Sequence, residues 1–244
     1  MISALFNTFI YEPIYNTLAF VVGVVPGGDV GVAIVVVTIL VRLILFPLSA
    51  AATRTQMEMQ ELNPKLQKLR EDLKDNKEEL AKQTMAIFKE HKVNPFSSIL
   101  LVFAQIPVIF GLYFVFLNEG KVGSFDPTLL YSFISPPVDV SPLFLGVIDL
   151  TGKSIILAVL VALTQFVYSR LTMPAPAPST TSSFQGDLAK SMHIQMRYVF
   201  PFILGFVAYV ITAAVALYFV VSNIFGIAQT YAMKRMNHGK GKNS

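Results

Sequence analysis

The sequence predicts an all-α polytopic membrane protein: five transmembrane helices around a hydrophilic groove, with an N-terminal interfacial amphipathic helix and a cytoplasmic helical hairpin. Three observations carry this. Hydrophobic residues make up 54% of the 244 and charged ones 14%, and the mean hydropathy is +0.60, too apolar for a soluble domain of this length. Apolar runs of about 20 residues, enough to cross ~30 Å of hydrocarbon, recur along the chain. One arginine, Arg42, stands inside the first such run, VVTILVRLILFPLS at residues 36–49.

Residues 1–29 read as an extracytoplasmic helix and loop. Ile2, Leu5, Phe6, Phe9, Ile10, Ile14 and Leu18 share one helical face, with Ser3, Asn7, Glu12 and Asn16 opposite. Glu12, Pro13 and the Pro26-Gly27-Gly28 break argue for a helix lying in the interface rather than a sixth span. No basic leader region or small-residue cleavage site precedes it, so residue 1 is taken as part of the working protein.

The first span covers 30–52. Residues 53–94 are the one long polar block and read as a cytoplasmic hairpin: Leu62, Leu66, Leu69 and Leu73 repeat at helical spacing, Asp75-Asn76-Lys77 offers a turn, and Leu80, Ile87 and Phe88 resume the stripe. Its charges nearly balance, which suits a solvated antiparallel pair better than a nucleic-acid surface. The second span is 95–117, followed by an extracytoplasmic loop at 118–152 and a third span at 153–172. The Pro/Ser/Thr-rich segment 173–194 reads as a flexible cytoplasmic loop. The apolar run beyond it is too long for one span, so it divides near Tyr209 to Ala213 into spans 195–210 and 212–232, leaving a basic cytoplasmic tail at 233–244.

Orientation follows the basic residues. The hairpin carries nine of them, from Arg54 to Lys92, whereas the 118–152 loop carries only Lys121. The hairpin is therefore cytoplasmic, with the N-terminus out and the C-terminus in, as an odd number of spans requires.

Arg42 costs about 2.5–3.5 kcal/mol at bilayer depth. No Asp or Glu occurs in 30–57, 96–118, 150–186 or after Asp187, so it has no acidic partner at its own level. It must reach water, carbonyls, neutral polar side chains or a transient negative guest; the alternative is snorkelling to the interface. Neutral polar residues favour a cavity. Thr38, Arg42 and Ser49 share a face of the first span, Gln105 stands beside Pro107 in the second, Thr164, Gln165 and Tyr168 cluster in the third, and Ser222, Asn223 and Gln229 mark the fifth. Each alone reads as interhelical glue worth about 1 kcal/mol. Turned together, they would line a hydrated groove with a positive floor.

Catalytic patterns are missing. There are no cysteines, and His91, His193 and His238 do not pair at metal-ligand spacing. No phosphate loop or nucleophile elbow occurs, so no catalytic residue, metal or cofactor is expected.

Four stretches resemble the YidC/Oxa/Alb membrane protein insertases: TILVRLILFPLS, ELNPKLQKLREDL, NPFSSILLVFAQIPVIFGLY and ALYFVVSNIFGIAQTY. Phe219 stands where that family commonly has Trp, and VITAAVA replaces its usual Pro-Ala-Gly turn; the chain resembles a minimal bacterial version. The resemblance implies an insertase and chaperone in the bacterial inner membrane, with a groove open to cytoplasm and lipid but closed outward. A nascent segment would slide along the first, third or fifth span while its short polar end rests near Arg42. The hairpin with Leu62, Pro64, Leu66, Leu69 and Leu73 would help receive clients. Implied partners are nascent membrane proteins, the bilayer, the Sec translocon, the signal-recognition-particle receptor and the ribosome, without nucleic-acid specificity. The competing class, a small transporter or channel with a polar midplane site, would usually show an internal repeat, and none is visible. A membrane scaffold differs from an insertase only in whether translocation occurs.

Overall fold

The computed structural model describes residues 2–240 apart from 75, 92, 95, 119–124, 173–190 and 192–193. The expected loop at 173–194 therefore lies almost wholly outside the described residues, as do Lys121 and the tail from 241.

The chain opens with α1 (Ile2–Phe6), a π turn (Asn7–Tyr11) and α2 (Glu12–Val24), which together form one helical run. Its buried face is Tyr11, Ile14, Tyr15, Leu18 and Val22, while Leu5 and Phe9 are 56% and 69% exposed. Asn16, expected on the polar face, is buried. The loop explains the difference: residues 129–131 cover the side of α2 opposite Ile14 and Leu18, where Asn16 bonds the Leu129 carbonyl and the Tyr131 amide.

Helix α3 (Val30–Ile44) starts on Asp29, whose Oδ1 accepts from the Val32 amide at 3.0 Å. It bends by 67° into α4 (Phe46–Asp72). Pro47 is the cause: it donates no hydrogen bond, and its ring crowds the carbonyl four residues back. No helix end falls at the expected 52/53 boundary, since α4 runs straight through it and the change of direction comes at Leu45. Asn76 caps α5 (Lys77–Glu90), its Oδ1 accepting from the Glu79 amide at 3.1 Å. The hairpin closes on Leu62, Leu66 and Val93, with Met59, Ile87 and Phe88 against them. Leu69 and Leu73 are half-buried, outside this cluster and nearer the tip.

Helix α6 (Phe96–Asn118) packs along α4. A two-stranded turn, β1 (Leu143–Phe144) with β2 (Ile148–Asp149), precedes α7 (Ile155–Thr172). A π turn (Gln195–Val199) leads into α8 (Phe200–Val210), and after a break at Ile211 and Thr212 the chain continues as α9 (Ala213–Lys240).

Helix α7 and residues Ala213–Met236 of α9 are each long and apolar enough to cross a membrane, and α3 with α4 makes a third if the bent pair crosses as one. Phe103–Val115 and Gln195–Val210 are shorter apolar helices. Large apolar side chains cover the outside, among them Phe103 and Phe110 on α6, Leu163 on α7 and Phe202 and Phe206 on α8. So broad an apolar exterior belongs in lipid. The molecule is an all-α membrane protein in its spanning part.

The larger of the two buried apolar clusters reaches to where the 125–152 loop folds over the bundle. Tyr15, Leu18, Val30, Ile34, Leu150, Leu157, Val161 and the run Ala213–Tyr218 are packed there. Hydrogen bonds fasten the loop down. The Asp126 amide donates to Tyr15 Oη at 2.6 Å, Asn16 Nδ2 donates to the Leu129 carbonyl at 3.0 Å, and the Tyr131 amide donates to Asn16 Oδ1 at 2.6 Å. The Leu145 amide donates to Asp29 Oδ2 at 2.7 Å, and the Ala213 amide to the Gly152 carbonyl at 2.8 Å. Gly28, at φ +61°, lies against the Asp139 carbonyl, where any side chain would collide. Within the loop, the amide and then the hydroxyl of Thr128 hold the Asp126 carboxyl below the usual carboxylate range.

Candidate substrate groove

Below this apolar cap the facing sides of α3, α7 and α9 become polar. Val30, Ala33, Ile34 and Val37 are almost fully buried, yet Leu40, Leu43 and Ile44 are 42%, 54% and 75% exposed. The bundle is therefore closed around the first half of α3 and open around the second. Arg42 lies on the open half and is itself half-buried. Its Nε donates to Ser222 Oγ of α9 at 3.2 Å. At 1.5 Å per residue, this pair sits about 14–18 Å from the loop end of its helices.

A second contact lies at the same level, where Asn223 Nδ2 donates to Thr164 Oγ1 at 3.2 Å while that hydroxyl donates to the Leu160 carbonyl at 2.7 Å. Deeper, past the Pro47 bend, buried Ser49 and Gln229 meet: Ser49 Oγ donates to Gln229 Oε1 at 3.1 Å, and Gln229 Nε2 approaches the same hydroxyl at 2.9 Å. The deepest layer joins helix ends. Gln60 Nε2 donates to the Thr172 carbonyl and Lys234 Nζ to the Leu171 carbonyl, both at 2.8 Å, which satisfies orphan carbonyls at the end of α7.

Of the residues expected in the groove, Arg42, Ser49, Thr164, Ser222, Asn223 and Gln229 thus meet in cross-helix pairs. Thr38 does not; its buried hydroxyl donates to the Ile34 carbonyl at 2.6 Å, within its own helix. Gln165 and Tyr168 are half-buried on α7. The Tyr168 ring packs on Gly226 so closely that an added Cβ there would lie 2.8 Å from Cε2. Gln105 is on α6, and its Oε1 is buried with no hydrogen-bond partner among the described residues. Tyr218 was not among the expected groove residues, yet it is 1% exposed and, with Tyr168, lies within electrostatic range of Arg42. Its signal is the i, i+4 spacing to Ser222, which puts both on one face of α9.

A family model described as the 60Kd inner membrane protein matches residues 21–240. The chain belongs to this family. All the groove residues named above fall inside the match, and the match agrees with the YidC/Oxa/Alb resemblance of the four sequence stretches. Among similar proteins of the 60Kd inner membrane protein family is the membrane protein insertase YidC of Clostridium tetani, 30% identical over 218 residues, covering 89% of this chain and 87% of that protein. The proteins of the same name from Paraburkholderia phymatum and Burkholderia vietnamiensis are 32% and 33% identical over 237 residues, 96% of this chain. The chain spans only 38% and 37% of their lengths. Family membership and the apolar helices together make this a multi-pass inner membrane protein.

Proposed function

We propose that this protein is a membrane protein insertase whose working surface is the polar face shared by α3, α7 and α9. The observation that carries the reading is Arg42, tethered through Nε to Ser222 at mid-bilayer depth on the half of α3 where apolar neighbours are exposed. Held by Nε, the guanidinium keeps its two terminal nitrogens for water or for a guest's anionic or carbonyl oxygens.

In this reading five segments cross the bilayer: α3 with the first turns of α4, α6, α7, the Gln195–Val210 helix and α9. The hairpin of α4 and α5 is cytoplasmic and the 125–152 loop external, with the N-terminus out and the C-terminus in; the basic residues of the hairpin support that orientation. The apolar cap beneath the loop closes the groove outward, and the exposed Leu40, Leu43 and Ile44 leave it open to lipid. A nascent apolar segment slides along α3, α7 or α9 while its polar end shares the hydration around Arg42, which lowers the cost of carrying that end across. No covalent bond changes in this step, so no residue is assigned a catalytic role. Clients are nascent membrane proteins; the hairpin is the surface offered to the ribosome, the signal-recognition-particle receptor or the Sec translocon.

The test is insertion of a single-span client with a short acidic translocated tail into liposomes holding only this protein. Protease protection of the tail is expected with the parent chain, several-fold less with Arg42→Ala and an intermediate level with Arg42→Lys. Ion or solute flux without tail protection would overturn the reading.

A further inference from the structure

A concave feature lies outside the polar cross-helix contacts. Between α7 and α8 a cleft of about 230 Å³ opens to the membrane side, floored by Ala158, Ala162 and Gly205 and rimmed by Phe202, Phe206 and Tyr209. The floor is low because the helices nearly touch: a Cβ on Gly205 would come within 2.8 Å of the Ala162 Cβ. The rim is high because Phe202 and Phe206 are 69% and 67% exposed. A charge marks one end. Lys153, just before α7, holds Nζ 5.8 Å from the centroid of the Tyr209 ring, a cation–π distance. Its nearest acid in sequence, Asp149, already accepts from the amide and hydroxyl of Thr151 at 2.8 and 2.7 Å.

We propose that this cleft binds one acyl chain of an anionic phospholipid, in the leaflet on the side of the 125–152 loop, with the lipid phosphate on Lys153. Three features select this occupant. From Lys153 to Ala162 is about 14 Å along α7, the depth of one leaflet of a ~30 Å hydrocarbon layer. The volume takes a single alkyl chain, whereas a helix about 10 Å across would ride over the rim without entering. The cation stands at the mouth, at headgroup level, and the ring beneath it belongs to the cleft wall, so headgroup and chain are recognised together.

The protein, purified in mild detergent after exchange into dioleoyl phosphatidylglycerol or dioleoylglycerol, is read by native mass spectrometry for retained lipid. The parent chain should retain the phosphatidylglycerol about fivefold more than the phosphate-free diacylglycerol, the scale of one lysine at a membrane surface. Lys153→Gln should bring that ratio near one, and Lys153→Arg should keep it. Val159→Trp, at a half-exposed position lining the cleft, should reduce retention of both lipids without unfolding the chain. Equal retention of the two lipids by the parent chain overturns the proposal, as does undiminished phosphatidylglycerol on the correctly folded Val159→Trp protein. Client insertion is read separately by tail protection, and its cross-helix contact on α7, Thr164 with Asn223, uses no cleft-lining residue.

Discussion

Ser49 and Gln229 meet on the far side of the Pro47 bend, linking the start of α4 to the second half of α9 through a hydroxyl and an amide that are both buried. Their position makes the bend a fixed feature of the bundle, because the pair forms only where α4 has already turned toward α9. Ser49→Ala or Gln229→Leu should each cost about 1–2 kcal/mol by stranding the remaining polar group. The double variant should lose less than the sum, with a coupling of about 1 kcal/mol. Reversible unfolding in mixed micelles measures this; strictly additive losses would show the pair to be incidental.

Ser222→Ala removes the acceptor that holds Arg42 Nε. Stability should change by less than about 1.5 kcal/mol, the net worth of one hydrogen bond. Insertion of an acidic-tailed client should drop about threefold, roughly 0.65 kcal/mol, while a neutral-tailed client is less affected. Equal losses for both clients would mean that Ser222 serves packing rather than the orientation of the guanidinium.

Leu62→Asp with Leu66→Asp puts two carboxylates into the small core shared with Val93. The hairpin should lose more than about 3 kcal/mol, become cleavable by protease within 55–92, and support less insertion. The same pair of changes at Leu69 and Leu73, which lie outside that core, should do less. If the first pair leaves both proteolysis and insertion unchanged, the hairpin core is dispensable.

Asn16→Leu is nearly isosteric, yet it abandons the Leu129 carbonyl and the Tyr131 amide. A loss of about 2–3 kcal/mol is expected, together with faster hydrogen exchange at residues 125–131. Unchanged exchange there would show that Tyr15 and Asp126 alone hold the loop.

The polar residues of the candidate groove stand out in the sequence because an uncharged amide or hydroxyl in an apolar run has few reasons to be there, and those of α3, α4, α7 and α9 largely contact one another. Which meets which is not legible: Arg42 and Ser222 are 180 residues apart, and only the packing of α3 on α9 joins them. Thr38 shares its face with Arg42 yet turns its hydroxyl to its own helix, an option that periodicity cannot distinguish from a cross-helix bond. The bend at Leu45 has a visible cause in Pro47, but a hydropathy window reads through it because the residues on both sides are apolar. A helical wheel sets Asn16 opposite Ile14 and Leu18 but cannot show that a loop more than 100 residues away covers that side. The loop contacts to Tyr15, Asn16 and Asp29 use backbone groups, which every residue possesses and no pattern reveals.

Those loop contacts determine how the bundle can deform. At one end, α2, α3 and α9 are stitched to the same loop by the bonds of Tyr15, Asn16, Asp29 and Gly152. At the other, α4 meets α7 and α9 through isolated side-chain contacts such as Gln60 with Thr172. The molecule is thus built like a pair of tongs with a tight pivot. Any splaying would grow with distance from that pivot, so under the proposed function an entering segment would find least resistance at the hairpin end and meet a stop where Val37 closes the jaws.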